Sequence, residues 1–162
     1  MIFRFADRLL EALLALVLAT MSMVVAANVF CRFVLGFSLY WGDEAAQSLL
    51  VWLTFLGAAI AVREGTHYSF DYFARVSTGT LRRLLGLLSR VITILALLGL
   101  FGWSLEVAWG IRPWIMPAMG VSRVWVYAAG PVGCAFMLLY AGRDLVRILR
   151  SGPGEPEAPR AV

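Results

Sequence analysis

Between Ala45 and Val62 the chain runs for eighteen residues without a charge, and the charges nearby are gathered at the two ends of that run. Arg32, Asp43 and Glu44 stand before it; Arg63, Glu64, His67 and Asp71 follow it. At ~1.5 Å per residue such a helix comes close to the ~30 Å hydrocarbon core of a bilayer. The segment therefore reads as a membrane crossing with an ionic collar at each end.

The rest of the chain agrees. Of its 162 residues 61% are apolar and 15% charged, with a mean hydropathy of +0.82. Soluble domains hold nearer ~45–50% apolar and ~25% charged residues. The expected fold is all-α: an integral membrane protein with four transmembrane helices at about 9–31, 42–62, 84–111 and 124–148. Together they make one membrane domain over 1–150, followed by a polar, proline-rich tail at 151–162 that lacks the apolar content to fold. The third helix is long, but its charge-free centre is only Val91 to Leu105, which puts Arg90 and Glu106 near opposite interfaces. Pro131 and Gly133 fall within the fourth and should bend it. The third connection, RPWIMPAMGVSR, should be an ordered, non-helical loop. The second, REGTHYSFDYFARVSTGTLRR, has the spacing of a short helix lying on the membrane surface, followed by an N-cap at Thr78 or Thr80.

All fourteen basic residues are arginine. Ten of them lie at the N-terminal end, in the second connection or at the C-terminal end, against three in the first and third connections. The positive-inside rule then places both termini in the cytoplasm. The pI of 9.6 is thus a matter of orientation and asks for no nucleic acid. The aromatic residues Tyr40, Trp41, Trp109, Trp114, Trp125 and Tyr127 collect on the opposite, outer side, as an interfacial belt or as a platform for an outer partner. The N-terminal apolar run could be a signal peptide cleaved after Ala27. At twenty residues, Ala12 to Cys31 exceeds the usual signal-peptide core, which favours an uncleaved crossing.

Few residues offer chemistry. His67 is the single histidine and lies outside the apolar run, so neither haem nor a metal finds a second imidazole; no cofactor is expected. Cys31 and Cys134 show no metal or redox spacing. Glu11 and Glu106 sit near helix ends, where Glu11 could pair with Arg8 or Arg4 and Glu106 with Arg112. Asn28, an amide within the first crossing, could satisfy an interhelical hydrogen bond. Asp43 and Glu44 open the second helix, where negative charge is favourable by ~0.3–1 kcal/mol. They could instead meet Arg32 or a partner protein. Small pairs such as Ala15/Ala19, Ser22/Ala26 and Gly57/Ala61 mark packing surfaces.

The ordered set Asn28, Arg32, Trp41, Glu44, Trp52, Gly57, Arg63, His67 and Asp71, with the later PAMGVSRVWVYAAGPVGCAFM, resembles the small membrane subunit of tripartite ATP-independent periplasmic (TRAP) transporters, the DctQ-like proteins. The resemblance covers about residues 5–148, although Asp43 and Ala45 stand where a Glu and a Leu are expected. It implies a non-enzymatic scaffold in a bacterial inner membrane. Its partners would be the bilayer, a periplasmic solute-binding protein and a large membrane subunit. That subunit, of roughly twelve helices, would carry a small organic solute, often a carboxylate, together with sodium. The resemblance places Arg32, Trp41 and Glu44 on the periplasmic face and Arg63, His67 and Asp71 on the cytoplasmic one. With Asn28, Asp43, Trp52 and Gly57 these make the expected partner and structural contacts. An Arg32–Glu44 pair across the first hairpin, and Arg63 against Asp71 on the inner side, would be the joints. Two other functions remain open on the residues alone. One is a glutathione-transferase-like four-helix enzyme, which would need polar groups converging inside the bundle. The other is a proton-coupled exporter, which would use Glu11.

Overall fold

The computed structural model describes residues 2–64 and 80–150, with side chains placed for 6–64 and 87–146. Helix α1 (Ile2–Phe30) widens at its end into a π turn, Cys31–Leu35. Gly36 closes that turn in the left-handed region at φ 73°, which glycine adopts without steric cost. Helices α2 (Tyr40–Glu64) and α3 (Thr80–Gly110) follow. The last crossing comes in two pieces, a single turn α4 (Val124–Tyr127) and the long α5 (Ala129–Arg150). Among the described residues there is no strand, only an isolated antiparallel bridge between Ile115 and Ser122. Among the described residues four spans are long and apolar enough to cross a membrane: Ala6–Leu35, Tyr40–Glu64, Leu87–Gly110 and Val124–Val146.

The interruption at Ala128 has a local cause. Pro131 has no N–H to give to the carbonyl of Tyr127 four residues back, and its ring crowds that carbonyl. The ladder resumes with the amide of Val132 donating to Ala128 O at 3.2 Å. Proline therefore leaves one rung out of the ladder, while Ala128 keeps helical backbone angles (φ −62°, ψ −22°) and the span continues from Val124 to Val146. Gly133 does something else: a Cβ there would lie 2.7 Å from Cβ of Phe55 and 3.1 Å from its carbonyl oxygen. It marks the closest approach of α5 to α2. One turn earlier, Gly130 gives the same clearance to Ser104 of α3, whose Cβ would be 3.0 Å away.

Those contacts set the order of the helices. α1 packs on α2, α2 on α5, and α5 on α3, while among the described residues α1 and α3 do not meet. The molecule is thus a row, α1–α2–α5–α3, rather than a closed bundle. Burial follows the row: 22% and 39% of the second and fourth spans are buried, against 6% in each of the other two. The core lies mid-row, where Leu56, Ala59 and Val62 of α2 meet Met137, Tyr140 and Ala141 of α5, with Leu10 and Leu97 reaching in from the flanks.

Candidate functional site

The polar side chains gather at the two ends of the row. At the hairpin end, the Asn28 side chain of α1 bridges to the start of α2. Its Oδ1 accepts the amide of Leu39 at 3.2 Å and its Nδ2 donates to Asp43 Oδ1 at 2.9 Å. Asn28 thus meets the hydrogen-bonding expectation for an amide in that crossing. Gly42 makes the bridge possible, because any Cβ there would sit 3.0 Å from Asn28 Cγ. The joint ties the last turn of one helix to the first turn of the next, with Asp43 at the positive end of the α2 dipole.

Glu44, the next residue, turns away from the hairpin. One of its carboxylate oxygens, Oε2, accepts the backbone amides of Ala118 (3.1 Å) and Met119 (3.0 Å) in the 111–123 loop. Two successive N–H groups converging on one anion form a small nest, and hydrogen bonds to a charged acceptor are worth ~1.5–3 kcal/mol each when shielded from water. The loop is prepared for this. Gly120 donates to Met116 O at 2.8 Å, Met116 donates to Val121 O at 2.8 Å and Arg123 donates to Trp114 O at 2.9 Å. Ser122 Oγ donates to Arg112 O at 3.2 Å, and the Arg112 guanidinium lies 3.4 Å over the Trp109 ring. Deeper in, Trp52 Nε1 donates to the carbonyl of Trp125 at 2.9 Å, joining α2 to α4.

At the arginine-rich end Arg63 of α2 is the hub. Its Nη1 lies 2.6 Å from Glu11 Oε1 and 3.8 Å from Asp7 Oδ1, and its Nη2 lies 3.7 Å from Glu64 Oε1. The Tyr140 hydroxyl of α5, in a side chain only 2% exposed, donates to Asp7 Oδ1 at 2.9 Å. Three helices are thus held by one small network.

These joints revise several expectations. Arg32 and Glu44 do not pair: Arg32 projects from the exposed π turn, while the Glu44 carboxylate is taken by the loop amides. Glu11 meets Arg63, and among the described residues it forms no pair with Arg8; the Arg4 side chain lies outside them. Arg112 stacks on Trp109 rather than facing Glu106. Trp41 is 43% exposed, and a Cβ on Gly57 would meet nothing within 4 Å. His67 and Asp71, the surface helix at the second connection, the N-cap at Thr78 and the tail lie outside the described residues. The long-range acceptors were hidden from sequence reasoning because nothing local links residue 44 to residues 118 and 119; Asp7 and Tyr140 passed unnoticed for the same reason.

Chemically, the arrangement joins. Among the described residues no group of three or more His, Cys, Asp or Glu side chains could hold a metal ion. Both cysteines are free, Cys134 fully buried in the core and Cys31 half-buried in the π turn.

The chain is similar over residues 21–151 to the family described as tripartite ATP-independent periplasmic transporters, DctQ component. It is 31% identical over 121 residues to the C4-dicarboxylate TRAP transporter small permease protein DctQ of Pseudomonas aeruginosa, covering 68% of this chain and 55% of that one. It is 29% identical over 133 residues to the ectoine TRAP transporter small permease protein TeaB of Halomonas elongata, covering 78% and 69%. A 25% identical match to the sialic acid TRAP transporter permease protein SiaT of Haemophilus influenzae spans 71% of this chain and only 19% of that protein. The matched stretch is thus about half the length of the Pseudomonas relative.

Proposed function

Because the chain belongs to the DctQ-component family of tripartite ATP-independent periplasmic transporters, and is a multi-pass inner-membrane permease component rather than an enzyme, we propose that it is the scaffold of such a transporter. In this reading it holds a large permease subunit in the membrane while that subunit moves solute and sodium. One observation carries the reading: among the described collar residues Asp43, Glu44 and Arg63 are spent on joining helices to each other and to the 111–123 loop. The flanks of the row, by contrast, are left apolar and open. A scaffold needs helices joined to one another with sides left for a partner, and the joints at both ends of the row support that reading.

The arginine-rich end is the cytoplasmic one, by the positive-inside rule. The hairpin end and the 111–123 loop then face the periplasm, where a solute-binding protein would arrive. Arg32 and Trp41, exposed beside the hairpin, are surfaces for that protein or for the large subunit; Glu44 instead shapes the loop. Relatives described as C4-dicarboxylate, ectoine and sialic acid TRAP permease proteins all match this one chain. That variety fits a subunit that does not choose the solute, here taken to be a small organic acid. The test is co-expression with a large TRAP permease: the two should purify as a stoichiometric complex in mild detergent. A chain that purifies alone and stable would contradict the proposal.

A further inference from the structure

Helix α3 is the edge of the row, and its packed side is defined by Leu97, Ser104 and Ala108. At 100° per residue Glu106 stands about 160° around the helix from both Ser104 and Ala108, pointing straight away from the chain. It lies within the Leu87–Gly110 span, about 6 Å of helix rise below Gly110, and among the described residues no basic group pairs with it. Gly99 and Gly102 fall on the same outward line, within about 40° of Glu106. A Cβ at either would meet nothing within 4 Å, so the chain's own packing does not call for glycine there. Glycine is the poorest helix former after proline, and two of them one turn apart leave a notch that another helix backbone can enter. Leu95 and Trp103, both well exposed, flank the notch.

We propose that this face of α3 is the seat of a transmembrane helix of the large permease subunit, packed into the Gly99–Gly102 notch and bringing an arginine or lysine to Glu106. The inference rests on the scaffold reading above. Charge decides the occupant. An ionic group at this depth is costly unless paired, so the matching helix carries a cation. A second copy related by a two-fold axis along the membrane normal would instead set two Glu106 carboxylates against each other at one depth.

The test uses the chain co-expressed with its large subunit. Gly102→Leu fills the notch without touching the chain's own packing, and should lower recovery of the large subunit roughly tenfold. Glu106→Lys should do the same, because it reverses the sign of the charge at the same depth; equal membrane recovery of the variant expressed by itself checks that it still inserts. In the wild-type complex, a photo-reactive benzoylphenylalanine replacing Trp103 should crosslink to the large subunit. Adducts to a second copy of this chain or to lipid alone would overturn the inference, as would undiminished recovery with both variants. If the wild-type chain recovers no large subunit at all, it is the scaffold reading that fails.

Discussion

Replacing Gly133 by alanine sets two effects of opposite sign against each other. Alanine is the better helix former by ~1 kcal/mol, so on propensity alone the change should stabilise. The structure argues the other way, because the new methyl would stand 2.7 Å from Phe55 Cβ and 3.1 Å from its backbone oxygen. Ordinary carbon–carbon contacts lie at ~3.5–4.0 Å, so α2 and α5 must part by about 1 Å at their tightest point. The obstacle includes backbone, which cannot rotate aside. Overpacking of this kind costs ~1–3 kcal/mol. The net expectation is a loss of ~0–2 kcal/mol, with the core around Leu56, Ala59 and Met137 loosened. Gly142→Ala on the same helix is the control, since nothing lies within 4 Å of its Cβ and only the propensity gain applies. Thermal unfolding of the detergent-solubilised protein, followed by tryptophan fluorescence, would rank the two variants. The expected order is Gly142→Ala at or above wild type and Gly133→Ala below it. A Gly133→Ala protein as stable as Gly142→Ala would refute the close helix approach.

Glu44→Ala should free the 111–123 loop, seen as several-fold faster tryptic cleavage after Arg123, while Glu44→Gln, which keeps an acceptor oxygen, should lie between it and wild type. A charge-swapped Arg32→Glu/Glu44→Arg double variant should show no rescue over the single variants, because the two residues serve different structures; recovery of stability would restore the pair that the geometry denies. Arg63→Ala should destabilise by roughly 1 kcal/mol, as the network is partly exposed, and the loss should shrink in high salt. Trp52→Phe removes one hydrogen bond and should cost ~0.5–1.5 kcal/mol in the same unfolding assay.

What the sequence disclosed was what is local. A crossing is a run of neighbouring apolar residues, so the four spans were legible from hydropathy alone; Pro131 reads as a bend in the sequence, and in the fold it leaves one rung out of its own ladder. Asn28 was legible too, since an amide in an apolar helix needs a partner and the hairpin brings one within fifteen residues. Glu44 was not. Its position at a helix start has an adequate local explanation, and only the folded loop shows that its carboxylate is occupied elsewhere. Gly133 looked like a bend because glycine in a helix usually reads that way; that it faces Phe55 depends on a helix distant in sequence. The π turn at Cys31–Leu35, on which Arg32 stands exposed, has no sequence signature at all.

The central claim is that this chain frames a transport machine whose solute path lies in another subunit. Solute uptake into proteoliposomes measures that directly, with the large permease subunit and the binding protein present and this chain either included or left out. The account predicts uptake only when all three are present. Full-rate uptake without this chain would contradict it.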